Sequence, residues 1–352
     1  MLDLETWARS IPPLDAGAAE KARERLNHLT KPEGSLGRLE DLAIQLAAIQ
    51  GNPLPSVERR SVLVFAADHG VTAEGVSAYP REVTPAMVRN FLAGGAAINV
   101  LARLAGADLR IGDVGVDADP FLPHERLISR RVARGTQNLA REDAMTDAET
   151  RSALLTGREV VLEALGRGAQ AIALGDMGIG NTTSASALVS AITGKEPREV
   201  VGRGTGIGDE ALQRKIAVVE KGLARLGGTR EPLRVLSALG GFEIAAIAGA
   251  ALEAASHRIP VVIDGVISTA GALWATTVSP RLREFLIPAH LSQEPGHKAA
   301  LQHLRLRPYL DLSLRLGEGT GAALALLLCD ASCRILREMA TFEEAAVAGR
   351  IL

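Results

Sequence analysis

The sequence predicts an α/β protein: a doubly wound, mainly parallel sheet with helices on both faces, plus a small helical domain from the N- and C-terminal segments. From residue 61 onward, short apolar runs alternate with longer segments of helical periodicity. Continuous apolar strands separated by helices are typical of parallel sheets covered on both faces. Aromatic residues make up only 3% of the chain, while Ala and Gly are abundant. Such small residues favour helices packed closely against a sheet.

The secondary-structure elements follow from local patterns along the chain. Apolar residues recur at helical spacing over 18–29 and 39–49, and a Gly- and Pro-containing break at 51–55 ends this helical region. Beyond it, continuous apolar runs predict strands at 62–66, 109–114, 169–174, 234–239, 261–263 and 285–287.

Two further segments set the predicted domain organisation. Residues 117–150 are the most polar and irregular stretch and predict a surface excursion, and a helix is predicted from about 322 to 339. We expect the chain ends to pair, giving a small helical domain from 1–28 and 302–352 and a large α/β domain from 29–301.

Composition excludes several classes of protein. The chain has 39 Lys and Arg against 41 Asp and Glu, so no basic excess points to nucleic acid. Cys329 and Cys333 are four residues apart on one predicted helix face, which favours core packing over a disulfide or a metal site. No N-terminal signal is visible, and the longest apolar run, 322–329, is too short for a bilayer. We therefore expect a cytoplasmic protein that does not bind membranes.

The clearest ligand-binding pattern is residues 175–186, Gly-Asp-Met-Gly-Ile-Gly-Asn-Thr-Thr-Ser-Ala-Ser, between a predicted strand and a predicted helix. Glycines allow close backbone approach, and a helix N-terminus offers N–H groups to an anion such as phosphate. The pattern is not a Walker loop, because Asn181 stands where Lys would follow Gly180. A tight strand-to-helix turn without a ligand is the alternative.

Other predicted strand ends also carry acids and glycines. Open parallel sheets bind ligands outside the carboxyl ends of their strands, so these residues predict one shared site. Taken singly, each is also explained as a helix cap or a turn former. The strand-end sequences are Asp68-His69-Gly70, Gly112-Asp113, Gly175-Asp176, Gly240-Gly241 and Asp264-Gly265.

Two segments carry candidate chemistry. Glu318 lies between two glycines before an apolar helix, where desolvation raises the pKa of a carboxyl group toward the range of a general base. Its alternative role is to favour the helix dipole. A second glycine loop, 202–208, precedes a helix with Lys215, which suits a phosphate contact or a solvated surface position.

Metal and nucleophile chemistry find little support. His69, His290 and His297 share no metal-ligand spacing, so structural roles are favoured for all three. Residues 292–297 combine Ser, Glu and His, but no G-x-S-x-G motif supports a catalytic triad. The paired acids that precede the phosphate loop of pyrophosphate-dependent phosphoribosyltransferases are also missing. If the chain acts on ribose, we expect a mononucleotide donor, no metal and no cofactor.

Taken together, the motifs resemble one family, the nicotinate-nucleotide–dimethylbenzimidazole phosphoribosyltransferases of cobalamin nucleotide-loop assembly, from about residue 30 to 330. The matching segments are Lys31-Pro32-Glu33-Gly34-Ser35-Leu36-Gly37, Ala67-Asp68-His69-Gly70-Val71, Glu74-Gly75-Val76-Ser77-Ala78-Tyr79-Pro80, 175–183, Gly202-Arg203-Gly204-Thr205-Gly206, Gly240-Gly241-Phe242-Glu243-Ile244, Asp264-Gly265, 292–297 and 315–321.

The resemblance implies a reaction in which nicotinate mononucleotide and 5,6-dimethylbenzimidazole, or a related base, give α-ribazole 5′-phosphate and nicotinate. It also implies a homodimer whose neighbouring subunit completes each active site. Glu318 matches the family's general base. The residues that match the phosphate and ribose end of the site, or lie close to the nucleotide, are Gly175, Asp176, Gly178, Gly180, Asn181, Thr182, Gly202, Gly204, Lys215, Asp264 and Arg315. The expected benzimidazole pocket contains Ser77, Met87, Ser292 and Leu316.

Two positions depart from the family pattern. Members often carry Glu at the position of Asp176, so a contact through this side chain is shorter here. They often have a polar residue after Thr84, where this chain has Pro85. Two other functions stay open from the residues alone: a non-catalytic nucleotide sensor, and a metal-dependent phosphate-ester hydrolase that uses the strand-end carboxylates.

Overall fold

The computed structural model describes residues 4–348, and its centre is a six-stranded sheet in the order β3-β2-β1-β4-β5-β6. All five strand pairings are parallel. The strand order reverses between β1 and β4, as in a doubly wound sheet. The predicted fold class is confirmed. The strands are β1 (Arg60–Ala67), β2 (Asp108–Gly115), β3 (Leu127–Ser129), β4 (Ala171–Met177), β5 (Val261–Ile263) and β6 (Leu286–Pro288).

Helices surround the sheet, and none within residues 4–348 is both long enough and apolar enough to cross a membrane. Two short 3₁₀ helices, Gly70–Glu74 and Pro280–Phe285, complete the described elements. The α-helices are α1 (Leu4–Arg9), α2 (Ala16–His28), α3 (Arg38–Gln50), α4 (Val83–Ala93), α5 (Ala97–Leu104), α6 (Asp147–Gly166), α7 (Asn181–Thr193), α8 (Pro197–Val200), α9 (Asp209–Leu226), α10 (Pro232–Leu239), α11 (Phe242–Ser256), α12 (Val266–Val278), α13 (Pro295–Leu304) and α14 (Thr320–Glu338).

Side chains of the central strand divide the core into two layers. Leu63 and Phe65 of β1 pack into a cluster with α6, α7, α11 and α12. Val62 and Val64 point to the opposite face, where α3, α4, α5 and α14 supply the partners. Because successive strand residues face opposite sides, a strand buried on both faces must be apolar throughout. This is why β1 is continuously apolar from Val62 to Ala67.

The predicted strand at 234–239 is wrong, because this segment is helix α10. The Glu231 side chain accepts hydrogen bonds from the backbone N–H groups of Leu233 and Arg234, at 3.0 and 2.5 Å. Pro232 occupies the first helical position, where a missing N–H costs nothing. The apolar run is a buried helix, so Gly240 and Gly241 join α10 to α11 and do not end a strand.

The polar stretch 117–150 contains more structure than the sequence predicted. It includes β3, which pairs with β2 at the edge of the sheet. It also contains the start of α6, where Thr146 Oγ1 accepts the Glu149 N–H and the Glu149 carboxylate accepts the Thr146 N–H. This T-x-x-E capping box is a readable helix-start signal. The edge strand has only three residues and is too short to be recognised from periodicity.

The two terminal segments meet on one side of the sheet. Ala22 and Leu26 of α2 form a small core cluster with Leu336 of α14, while Leu326 of α14 packs into the sheet layer. The predicted division into a small helical and a large α/β domain stays a prediction, and its outermost residues, 1–3 and 349–352, lie outside the described chain. Both cysteines are buried and unpaired with each other, as predicted.

Helices α6 and α11 approach through glycines. A Cβ on Gly157 would lie 1.8 Å from the carbonyl oxygen of Ala246, and one on Gly249 would lie 2.0 Å from that of Leu154. Neither distance is possible for a real Cβ, so both glycines are required for the backbones to touch.

We predict that Gly157→Ala destabilises the protein by about 1–3 kcal/mol, because the added methyl group forces the two helices apart. The measurement is equilibrium unfolding in urea. Gly166→Ala is the matched control on the same helix, since a Cβ there meets nothing within 4 Å. Equal stabilities for the two variants would contradict the close packing of α6 and α11.

Candidate active site

A cleft of about 700 Å³ opens at the carboxyl ends of the strands, where β1 and β4 separate the two halves of the sheet. Ligands of doubly wound sheets bind at this topological switch point. The cleft brings together residues from both ends of the site expected from sequence. Those that line it are Met87, Asp176, Gly178, Asn181, Thr182, Gly204, Ser292, Arg315, Leu316 and Glu318.

Other expected site residues lie directly behind the cleft wall. They contact residues that line the cleft or the loop that carries Glu318. This group contains Ser77, Gly175, Gly180, Gly202, Lys215 and Asp264. The structure also adds wall residues that sequence analysis did not assign to the site, namely Tyr79, Val83, Thr205, Val266, His290 and Glu294.

The loop that carries Glu318 has an unusual backbone. Gly317, Glu318 and Gly319 have φ values of 82°, 62° and 88°. Glycine adopts this left-handed region freely, but for Glu it is a strained conformation that the surroundings must hold. Asp264 does so, because its two carboxylate oxygens accept the N–H groups of Gly319 and Ala322 at 3.1 and 2.9 Å. Asp264 is therefore a positioning residue at the start of α14.

Gly175 is the second support of this loop. A Cβ at this position would lie 2.4 Å from the carbonyl oxygen of Glu318. The β4 backbone and the Glu318 peptide therefore touch, and any side chain at position 175 would displace the loop. The resemblance puts Gly175 at the phosphate and ribose end of the site, which stays a prediction; in the structure its backbone lies against the Glu318 peptide.

The Glu318 carboxyl group lies against the N-terminus of α5. One oxygen is 3.4 Å from the backbone N of Ile98, the second residue of that helix. Burial raises the pKa of Glu318 above its ordinary value, the Ile98 N–H opposes this rise, and the nearby Asp264 adds to it. A buried carboxylate of raised pKa is suited to accept a proton near neutral pH.

Asp176 lies at the end of β4 and is also buried. Its Oδ2 accepts a hydrogen bond from the Asn181 amide at 3.0 Å, while Oδ1 has no hydrogen-bond partner among residues 4–348. Burial raises the pKa of Asp176 well above its ordinary value, and the charges of Asp264, Glu243 and Glu318 raise it further. The result is a second proton-holding group in the same cleft.

The opposite end of the cleft suits a phosphate. Gly180 (φ 96°) precedes α7, whose first residues, Asn181 and Thr182, line the wall. A helix N-terminus has a positive dipole end that favours an anion. In α7 the N–H groups of Asn181 and Thr183 donate to the carbonyls of Gly178 and Gly180, at 3.1 and 3.0 Å. Lys215, which is 0% exposed, donates to Thr182 Oγ1 at 2.8 Å and to the Gly202 carbonyl at 3.1 Å. Burial lowers the pKa of Lys215 to about 8.

The second glycine loop is tied to this phosphate end. Gly204 has φ 51°, and a Cβ there would lie 2.9 Å from Thr182 Oγ1. Its N–H donates to Glu294 Oε1 at 2.8 Å. A Cβ on Gly202 would lie 2.2 Å from Glu294 Oε2. Both glycines therefore let the loop close over Thr182 and Glu294.

The remaining wall is largely apolar and suits a flat heterocycle. Met87 and Leu316 face the same cleft, as do Tyr79 and Val266. Ser77 does not line it, but its Oγ lies 3.4 Å from Oγ1 of Thr205, which does. This wall is open, because Leu316 is 58% exposed.

The proline that departs from the family pattern sits without strain. Pro85 is the third residue of α4, within the first turn, where a backbone N–H has no intrahelical partner. The preceding Thr84 contacts the glycine loop, because its Oγ1 accepts the N–H of Ile179 at 3.0 Å. Pro85 is therefore compatible with the contact between α4 and the glycine loop.

The histidines do not form a metal site. No group of three or more His, Cys, Asp or Glu in residues 4–348 is arranged to hold a metal ion. His69 is fully buried, with its ring nitrogens 2.6 Å from Glu243 and 3.1 Å from Ser184. His297 Nδ1 accepts the Ser292 N–H at 3.0 Å, and burial lowers the pKa of His297 to about 3. Protein contacts thus engage both ring nitrogens of His69 and Nδ1 of His297, and a structural role for these two histidines stays a prediction.

The pKa of Asp176 leads to a test by stability. A carboxyl group whose pKa is raised on folding binds its proton more tightly in the folded chain, so stability falls as pH rises above the ordinary pKa of 3.8. Asp176→Asn removes this loss. We predict that the variant becomes progressively more stable relative to the wild type as pH rises from about 4 to about 8.

Thermal unfolding across that pH range measures the difference. Asp311→Asn, at an exposed position, is the control and should differ from the wild type by less than about 0.5 kcal/mol at each pH. A stability difference for Asp176→Asn that does not vary with pH would contradict the raised pKa.

Comparison with known proteins gives one consistent family. A family model described as Phosphoribosyltransferase matches residues 11–347. Curated relatives named nicotinate-nucleotide–dimethylbenzimidazole phosphoribosyltransferase include one from Geobacter sp. strain M21, 52% identical over 98% of this chain and 99% of its own. Another, from Geobacter sulfurreducens, is 53% identical over 96% of each chain.

A solved structure agrees with the sequence comparison. The crystal structure of the phosphoribosyltransferase of the same name from Thermus thermophilus is 50% identical and superimposes with a TM-score of 0.91. The match covers 96% of this chain and 100% of that one. Because the similarity extends over the fold and nearly the whole sequence, the chain belongs to the nicotinate-nucleotide–dimethylbenzimidazole phosphoribosyltransferase family.

Proposed function

We propose that the protein transfers the phosphoribosyl group of nicotinate mononucleotide to 5,6-dimethylbenzimidazole, giving α-ribazole 5′-phosphate and nicotinate. One observation supports this most: the buried carboxyl group of Glu318 and the helix N-terminus at Asn181 and Thr182 line the same cleft. A proton acceptor and an anion cradle in one cleft are what the reaction needs. Membership in the family supplies the identities of the two substrates.

The donor is activated without help from a metal. In nicotinate mononucleotide the pyridine nitrogen is cationic, so nicotinate leaves with a neutral ring nitrogen as the glycosidic bond breaks. Positive charge then grows on the ribose, giving an oxocarbenium-like state comparable to that of glycoside hydrolysis. Asp176 and Glu318 lie in the cleft where they can stabilise this charge when ionised.

The acceptor attacks from the face opposite the leaving group, which inverts the anomeric carbon from β to α. One benzimidazole nitrogen forms the new bond to C1′, and the other nitrogen gives its proton to Glu318. The raised pKa of Glu318 suits this transfer, because a base is most effective when its pKa lies near the working pH. Met87 and Leu316 supply an apolar wall for the ring.

The phosphate is held at the opposite end. Its expected contacts are Thr182 at the N-terminus of α7 and the glycine loop at Gly204. Lys215 lies behind Thr182 and contributes positive charge below a pH of about 8. Fixing the phosphate orients C1′ toward the acceptor, and such positioning accounts for much of the rate in reactions of two substrates.

The assembly and location of the enzyme extend this proposal. We infer a homodimer in which the neighbouring subunit covers the open wall of the cleft, since Leu316 and Tyr79 are 58% and 55% exposed there. Exposed apolar side chains beside a site are typical of an interface. We also expect the enzyme in the cytoplasm.

Two other functions make different predictions. A nucleotide sensor would bind nicotinate mononucleotide and release no product, yet it has no use for the strained, buried Glu318. A metal-dependent phosphate-ester hydrolase would need a ligand set that residues 4–348 do not contain. The transferase accounts for both ends of the cleft.

The test combines the purified protein with nicotinate mononucleotide and dimethylbenzimidazole in the presence of a chelator. We expect release of free nicotinate together with an α-linked ribazole phosphate, identified by nuclear magnetic resonance of the anomeric proton. Nucleotide binding without product would favour the sensor, and hydrolysis that requires Mg²⁺ or Mn²⁺ would favour the hydrolase. Either result contradicts the proposed function.

The role of Glu318 gives a second prediction. Glu318→Gln keeps the shape of the side chain but cannot take a proton, so kcat should fall by about 10²–10⁴-fold while nucleotide affinity is retained. In the wild type, kcat should fall as pH drops below the raised pKa of Glu318, because the protonated acid is no longer a base. This acid limb should be missing from the residual activity of the variant.

Glu338→Gln, at the other end of α14, is the matched control and should leave turnover unchanged. Near-normal turnover by Glu318→Gln would remove Glu318 from the role of base.

A further inference from the structure

His290 is a part of the cleft that the mechanism above does not use. It follows β6 and lines the cleft, and only 2% of its surface is exposed. Its Nδ1 has no hydrogen-bond partner among residues 4–348. A buried polar atom without a partner is costly in a folded protein, and in a ligand site it indicates a contact that the ligand supplies. Protein contacts account for both ring nitrogens of His69. His297 uses Nδ1 for Ser292 and leaves Nε2 without a partner, but His297 does not line the cleft, whereas His290 does.

The protein contacts of the His290 ring lie on the edge formed by Nε2 and Cδ2, and they leave Nδ1 without a partner. Its Nε2 lies 3.5 Å from Asp264 Oδ1. A Cβ on Gly321 would lie 2.1 Å from its Cδ2, so α14 packs tightly on this same edge. Nδ1 is at the opposite vertex of the ring. Because Asp264 Oδ1 can only accept a hydrogen bond, we assign the proton of the neutral ring to Nε2, which leaves the lone pair of Nδ1 to accept one.

His290 also has a definite place along the cleft. On one side it contacts Asp264, the residue that holds the Glu318 loop. On the other side its ring lies 5.8 Å from that of His297, whose Nδ1 accepts from Ser292 in the segment leading to Glu294. Glu294 in turn holds Gly204 at the phosphate end. His290 therefore lies between the proton acceptor and the phosphate cradle.

In the proposed reaction this middle region must hold the ribose. The phosphate is attached through C5′, and the reacting C1′ must face Glu318, so the ribose ring with its two hydroxyl groups spans the gap. Two buried polar atoms without hydrogen-bond partners belong to residues of this wall, Asp176 Oδ1 and His290 Nδ1. A ribose supplies two hydroxyl groups, each of which can donate or accept a hydrogen bond.

We propose that His290, oriented by Asp264, accepts through Nδ1 a hydrogen bond from one ribose hydroxyl of the bound nucleotide, and so selects ribonucleotides over deoxynucleotides. His290 is a substrate-binding residue in this arrangement, and Asp264 is the positioning residue that sets its tautomer. The inference rests on the proposed function, since it takes nicotinate mononucleotide as the ligand.

The experiment is a cycle of enzyme and substrate variants. Wild type, His290→Leu and His290→Asn are each given nicotinate mononucleotide and its 2′-deoxy and 3′-deoxy analogues, with dimethylbenzimidazole as acceptor. The measured quantities are kcat/KM and the dissociation constant of each nucleotide by calorimetry. His303→Leu, at an exposed position of α13, is the matched control and should behave as the wild type.

For the ribonucleotide, His290→Leu should lower kcat/KM by about ten- to a hundredfold, the usual effect of leaving one buried hydrogen bond unmade. For the wild type, kcat/KM with one of the two deoxy analogues should be lower than with the ribonucleotide by a similar factor. With that analogue, the wild type and His290→Leu should differ by less than about threefold, because the partner is already missing. His290→Asn, which keeps an acceptor near the position of Nδ1, should recover most of the activity.

A loss of the same factor with all three nucleotides would overturn the inference and assign His290 a purely structural role. His290→Asn provides the same comparison if His290→Leu does not fold. A wild type that neither binds nor turns over nicotinate mononucleotide would overturn the proposed function and this inference together. Normal turnover by the wild type with uniform losses in the variants overturns only the role of His290.

Discussion

The contact between the backbone of Gly175 and the peptide of Glu318 determines the geometry of the cleft. Only glycine at 175 leaves space for the Glu318 carbonyl oxygen, and this contact lets three consecutive residues, 317–319, hold positive φ values. Asp264 holds the same loop by accepting hydrogen bonds from two backbone N–H groups at the start of α14. Strand β4, strand β5 and helix α14 thus meet at one point, and the Glu318 side chain leaves from that point into the cleft.

The same arrangement concentrates acidic groups at the centre of the sheet. Asp176 lies close to three other acidic residues, and their charges raise its pKa. These residues are Glu243, Asp264 and Glu318. Such a cluster opposes its own ionisation, which destabilises the protein at high pH. In the proposed reaction the cost has a use, because those carboxylates of the cluster that are ionised stabilise positive charge on the ribose. Functional sites often retain groups that stability alone would remove.

The sequence was sufficient for the fold class and for the family, because both depend on patterns that are local in the chain. Apolar runs marked the central strands, and glycines before Asn181 and around Glu318 marked the loops. It was misleading where a buried helix is as apolar as a strand: α10 was predicted as a strand, although Glu231-Pro232 is a helix start that could have been recognised.

Which residue lines the cleft and which stands behind it could not be predicted. Gly175, Lys215 and Asp264 were expected at the site from their sequence motifs. In the structure they stand behind the cleft wall, where Gly175 contacts Glu318, Lys215 contacts Thr182, and Asp264 contacts Gly319. His290 and Glu294 can be recognised in the sequence as groups capable of chemistry. Their position on the cleft wall, however, depends on how β6 and α13 pack against the rest of the protein. Such long-range contacts join segments that are far apart in the chain, and no local pattern records them.

A crystal structure of the protein with α-ribazole 5′-phosphate in the cleft tests the role of Glu318 most directly. We expect a carboxylate oxygen of Glu318 about 2.6–3.2 Å from the benzimidazole nitrogen that is not bonded to ribose. We also expect the phosphate at the N-terminus of α7, beside Thr182. A benzimidazole nitrogen more than about 4 Å from Glu318, or hydrogen-bonded to another group, would contradict the central role of the Glu318 loop.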